Sequence, residues 1–270
     1  MKARPADLVL AALQQHRAGR LPAALALYRQ AAKEDKRDAL APRLLALALA
    51  AGGDLQEALR WIEEALKRDP AAIETEAAQA QILVQAGRQD VARKVLEQLL
   101  ARRPDFAPAH HLLVHIATMC GTPSFLKALR NAATNLPQKS WPHQQLGRFL
   151  AAGGDYKQAV EPLAKAASLR PNDADAQYDL GVALQESGQT QAAISAYRKA
   201  LALQPGMVRA RHNLASALQS RGDIRAAIAE YTDAYKREPA SFPRIAQDLA
   251  AGSTGQVWLR AGDLKAKLSG

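Results

Sequence analysis

The stretch YDLGVALQESGQTQAAISAYRKALALQP, Tyr178 to Pro205, places small residues at fixed intervals. Leu180 and Gly181 form a pair, and Gly188 follows seven residues after that glycine. Ala193, Tyr197, Ala200 and Pro205 then come at steps of five, four, three and five. With Ala174 as position 1, these residues occupy positions 7, 8, 15, 20, 24, 27 and 32, and Leu184 occupies position 11. A shift of 34 residues forward finds Leu214, Ala215, Leu218, Gly222, Ala227, Tyr231, Ala234 and Pro239 at the same positions. The same shift backward finds Leu146, Gly147, Leu150, Gly154, Ala159, Leu163, Ala166 and Pro171. Three consecutive units that agree at eight positions are an internal repeat.

The register continues towards the N-terminus. The unit from Ala39 holds Leu45, Ala46, Leu49, Gly53, Ala58, Ile62, Ala65 and Pro70, and the unit from Ile73 keeps Ala80, Leu83, Gly87, Ala92, Leu96 and Pro104 with Gln79 at position 7. The first unit, from Pro5, keeps Ala12, Gly19, Ala24, Tyr28 and Ala31, with Lys36 in place of the proline. Between Ala107 and Lys139 the unit is one residue short, though Leu113, Gly121 and Pro137 survive. Seven units therefore tile the chain at 5–38, 39–72, 73–106, 107–139, 140–173, 174–207 and 208–241, followed by a C-terminal capping segment at 242–270.

The spacing predicts two helices per unit, with a glycine at the turn and a proline closing the second helix. Small residues at positions 8, 20 and 27 let the helices approach, and larger ones at 7, 11 and 24 fill the space between them. One hairpin cannot bury its apolar face alone, so neighbours must stack. The pattern resembles the tetratricopeptide repeat (TPR), a 34-residue helix-turn-helix unit. That resemblance implies an all-α, right-handed superhelical solenoid of about seven hairpins. The family's tryptophan at position 4 is missing, those positions holding Leu8, Pro42, Glu76, His110, His143, Gln177 and Arg211.

The resemblance also implies a function. TPR proteins bind an extended or helical peptide in a concave groove lined by the first helix of each unit. Carried onto this chain, the groove positions hold as principal candidates His111, His115, Trp141, Gln144, Arg148, Tyr178, Arg209, His212 and Asn213, with Gln145, Asp179, Ser216 and Gln219 beside them. In the N-terminal units they form a second, apolar stretch of Val9, Leu13, Leu40, Arg43, Leu44 and Leu47, suited to an amphipathic helix. The Lys/Asn clamp with which some members grip chaperone tails is not matched. Its places hold Gln144, Arg148, Tyr178 and Val182, and only Asn213 agrees.

Net charge is +10, yet no Asp or Glu occurs between Phe106 and Gly154, where Lys127, Arg130, Lys139, Arg148 and four histidines fall. That stretch marks a candidate site for an acidic peptide or protein surface. Nucleic acid is disfavoured, because the basic groups are diluted along the chain and only Trp141 and Tyr178 offer stacking surfaces. Catalysis finds no support. His111 and His115 have metal-ligand spacing, but Leu112 stands where a metalloprotease glutamate would, and no third ligand is evident. Cys120 reads as a structural thiol, and its being the lone cysteine rules out an internal disulfide. No cofactor and no metal are expected. The N-terminus shows no signal peptide and no apolar run spans a bilayer, so a cytoplasmic location is expected, and the Ala/Arg/Leu-rich composition hints at a bacterial source.

The expected function is thus a non-catalytic interaction scaffold or adaptor. Two alternatives stay open. Bacterial glycosyltransferases and sulfotransferases carry similar arrays, which makes the chain a candidate targeting region of such an enzyme. Self-assembly through the apolar N-terminal half is the other. At the C-terminus, Phe242 to Ala251 continues the first-helix phase, with Ile245 and Leu249 able to face back onto the seventh unit. Beyond GSTG at 252–255, Trp258 and Leu259 are read either as further capping or as a partner anchor.

Overall fold

The computed structural model describes residues 4–118 and 122–251. Among the described residues every regular element is helical, with fifteen α-helices and no strand. The chain divides into two compact units, residues 1–135 and 136–270. In unit 1 the helices are α1 (Pro5–Arg17), α2 (Leu21–Glu34), α3 (Leu40–Ala51), α4 (Leu55–Arg68), α5 (Ile73–Gln85), α6 (Gln89–Arg102), α7 (Ala107–Thr118) and α8 (Thr122–Asn135). In unit 2 they are α9 (Ser140–Ala152), α10 (Tyr156–Leu169), α11 (Ala174–Glu186), α12 (Thr190–Leu203), α13 (Val208–Ser220), α14 (Ile224–Arg237) and α15 (Phe242–Ala251), with a single 3-10 turn at Pro239–Ser241.

Within each unit successive helices pack as hairpins, and each hairpin packs on the next. In unit 1 the second helix of one pair meets the first helix of the following pair, and first helices α3, α5 and α7 also touch in sequence. Unit 2 repeats this order through α9, α11 and α13.

The glycine at position 15 makes the turn. Gly188 has φ +84°, a conformation that costs an L-residue with a Cβ on the order of 1–2 kcal/mol. The Gln189 amide then reaches back to the Leu184 carbonyl at 2.8 Å, closing α11 in a Schellman arrangement. Where Lys36 replaces proline, the Asp35 carboxylate accepts from the amides of Arg37 at 2.9 Å and Asp38 at 3.2 Å, so a side chain makes the turn instead.

The core runs through the hairpins. Position 24 is buried in six units, as Tyr28, Ile62, Leu96, Leu163, Tyr197 and Tyr231. In unit 1 one apolar cluster extends from Ala12 on α1 to Ile116 on α7. In unit 2 another runs from Leu184 on α11 to Ile245 and Leu249 on α15, which thereby covers the apolar end of the α13–α14 hairpin. The tail reading at Trp258 and Leu259 and the Cys120 thiol lie outside the described residues. Among the described residues no helix is long and apolar enough to cross a membrane.

Candidate partner-binding site

The first helices of unit 2 turn one side away from the core, and their polar side chains are tied across helix boundaries. On α9, Gln144 donates to the Asp179 carboxylate at 3.2 Å, and Arg148 donates to the same oxygen at 2.6 Å. Arg148 keeps 53% of its side chain exposed while Asp179 keeps 16%, so the guanidinium stays open to an incoming group. On α13 the Arg209 guanidinium sits 4.5 Å above the centre of the Tyr178 ring and also pairs with Asp175. A cation over an aromatic face at a partly exposed site contributes about 0.5–1 kcal/mol.

Asn213 joins the next helix to this group. Its amide donates to the Tyr178 hydroxyl at 3.3 Å, and its carbonyl accepts from Arg244 on α15 at 3.3 Å. Tyr178 also lies 6.0 Å from the buried Tyr197 ring. The result is a surface of two guanidinium groups around a phenol and a carboxamide, with a third guanidinium, Arg148, held by the Asp179 carboxylate. These are donors that match peptide carbonyls and carboxylates.

The nine principal candidates divide. Gln144 and Arg148 share one carboxylate, and Tyr178, Arg209 and Asn213 form one connected group. Trp141 is half-buried on α9. His212 is 2% exposed and packs edge-on against Tyr231 at 5.4 Å, with Nε2 3.3 Å from Asp248, so it belongs to the contact with α15. Burial pushes its pKa down, the Arg244 cation adds to this, and Asp248 opposes it. In unit 1, His111 and His115 are both exposed on α7. Partial desolvation by neighbouring atoms, and then the adjacent His110, hold His111 below the ordinary histidine value. His110 itself is the buried one, with Nε2 2.8 Å from the Pro104 carbonyl.

The apolar stretch in unit 1 is mostly packed rather than open. Val9 is buried, and Leu13, Leu44 and Leu47 lie against the core clusters because first helices stack on one another there. Leu40 is 40% exposed, and Arg43 is half-buried with Nη1 4.0 Å from Glu74.

Two participants escaped the sequence reading, Asp175 and Arg244. The signal was present as separation. The cross-helix contacts join residues 31, 34 or 35 apart, which is one repeat length give or take a turn. Opposite charges at that separation identify pairs between neighbouring units. Among the described residues no group of three or more His, Cys, Asp or Glu side chains is placed to hold a metal ion.

Three family models match the chain. One, described as TPR repeat, covers residues 147–188, and two, described as tetratricopeptide repeat, cover 184–251 and 9–73. Together they span more than half of the sequence. Among solved structures, the C-terminal part of a TPR repeat-containing protein from Cytophaga hutchinsonii superposes with a TM-score of 0.67 at 14% identity, over 89% of this chain and 99% of that one. Two others align more loosely and add nothing to the argument. They are YrrB, a TPR protein with an unusual peptide-binding site (20% identity, TM-score 0.43, 83% of this chain and 97% of that one), and MamA from Desulfovibrio magneticus (21%, 0.37, 75% and 96%). Comparison with curated proteins gives no match.

Proposed function

Because the chain belongs to the tetratricopeptide repeat family, a family of interaction scaffolds, we propose that it acts without catalysis and holds a peptide or helix of a partner protein on the first-helix face of unit 2. The observation that supports this reading is the connected surface from Arg148 through Asp179, and from Arg209 and Tyr178 through Asn213 to Arg244. Its side chains are held in place by neighbours on the next helix, so little side-chain entropy remains to be lost when a partner docks. The donors favour an acidic segment, whose carboxylates can take over hydrogen bonds that Asp175 and Asp179 now accept.

The test is affinity capture from the source organism with the intact chain and with Arg148→Glu and Tyr178→Ala variants as bait, followed by titration of the captured partner. Each substitution is expected to weaken binding about tenfold or more, since Tyr and Arg dominate such contacts. Far-UV circular dichroism should show unchanged helicity. An unaltered set of captured proteins with unaltered affinity would exclude this face.

A further inference from the structure

Unit 1 carries a second surface feature, on the side of its second helices, that shares no residue with the unit 2 face. A cleft of about 720 Å3 lies between the end of α2 and the outer side of α4. Lys33, Lys36, Arg60 and Trp61 line it, together with Glu57 and Glu64.

The carboxylates of this cleft are already committed. Glu57 accepts from the Arg29 guanidinium at 2.8 Å and from the Trp61 indole nitrogen at 3.1 Å, and these contacts hold it below the ordinary glutamate range. Glu64 pairs with Arg68 at 3.1 Å. Arg68 is itself consumed, since it donates to the carbonyls of Ala32, Asp35 and Asp38 at 3.1, 2.9 and 3.0 Å and pins the α2–α3 loop. Lys33, Lys36 and Arg60, in contrast, are exposed and have no ion pair within 4.0 Å among the described residues. The indole is half-buried, packed on the core and oriented by its bond to Glu57. The cleft therefore joins an excess of positive charge to one fixed aromatic wall.

The geometry points to a docking site for an acidic segment of a partner protein, with an apolar side chain seated on Trp61 and flanking carboxylates answering Lys33, Lys36 and Arg60. Charge complementarity chooses this occupant. Three cations answer few phosphates, and a single indole offers no run of stacking surfaces, so the cleft is poorly matched to a nucleic-acid strand.

The test uses the full chain and a fluorescein-labelled, Glu-rich peptide of about ten residues with a central Phe, followed by fluorescence anisotropy at low ionic strength. The Lys33→Glu/Lys36→Glu double variant should weaken binding about tenfold or more, and Lys36→Glu/Arg60→Glu should do the same. Arg148→Glu, in the unit 2 site, should leave this affinity within about twofold, which separates failure here from failure of the unit 2 site. Because the three cations are exposed and make no ion pair within 4.0 Å among the described residues, with Arg60 acting on Glu57 only at longer range, the variants should keep their helicity and melting temperature. Absence of binding, or affinity within about twofold of the parent in either double variant, overturns the proposal. So does a single-stranded oligonucleotide that displaces the peptide and binds the cleft more tightly.

Discussion

Gly181 shows how closely two helices of a hairpin approach. A Cβ built there would lie 2.5 Å from Cε1 of Tyr197, which is fully buried and donates its hydroxyl to Gln185 at 3.0 Å. Alanine is the better helix former by about 1 kcal/mol. Overpacking a filled core costs about 1–3 kcal/mol and outweighs that gain, so Gly181→Ala is expected to lose about 1 kcal/mol net in urea unfolding. The upper end does not apply, because Ala12 and Ala215 occupy the same position opposite Tyr28 and Tyr231, so the hairpin has a packed solution with the extra carbon. Gly188 differs, since nothing lies within 4 Å of its added Cβ and the whole cost is backbone conformation. Gly188→Ala should lose on the order of 1–2 kcal/mol and Gly188→Asn distinctly less, as asparagine tolerates positive φ. Equal losses for Ala and Asn would refute that account.

The second helices begin at equivalent positions with unequal caps. Asp54 accepts from the Glu57 amide at 3.0 Å and Asp155 from the Gln158 amide at 3.2 Å. Arg88, at the same place before α6, has φ −93° and ψ 54°, close to the −83° and 73° of Asp54, but caps nothing. Asp54→Ala should therefore cost about 1 kcal/mol and Arg88→Asp should add a comparable amount, both read from denaturant midpoints. Asp223 shows that the residue type alone does not suffice. It pairs with Arg221 and makes no capping bond. Helix α10 holds another local conflict. Pro162 lacks the amide that an interior helical residue donates, yet the helix continues to Leu169. Pro162 is buried and packing of that hairpin outweighs the missing bond.

Two histidines, the half-buried His143 and the buried His212, contribute to the response to acid. Burial lowers the pKa of His143, partly offset by its backbone contact at Pro137, and burial lowers that of His212 among Tyr231, Asp248 and Arg244. A depressed histidine is neutral in the folded state, while the unfolded chain takes up a proton near the ordinary value of about 6.5. Stability is therefore level above that value and falls as pH drops from about 7 towards 5. The carboxylates held low by partners, Glu57 among them, add their losses below about pH 5. Thermal melts should show a decline in the upper window, and His212→Gln should flatten part of it. A slope unchanged by that substitution would remove His212 from the explanation.

The hairpin order was legible because a 34-residue period is a one-dimensional signal, since each unit must supply the small and large residues that its own two helices require. The same logic made Ile245 and Leu249 readable as core, because they continue the period of the apolar face. Surface chemistry was only half legible. A groove position says which way a side chain starts, and what it meets depends on the neighbouring helix one repeat away. For that reason His212 and Val9 are buried, Leu13, Leu44 and Leu47 are packed, and Arg209 lies over Tyr178 with Asp175 and Asn213 beside it. The period alone determined the helical hairpins and their core, through short-range packing within a unit. The pairing of charges, the burial of histidines and the open cations of the α2–α4 cleft were decided only by tertiary contact, because they depend on distances between side chains about one repeat apart.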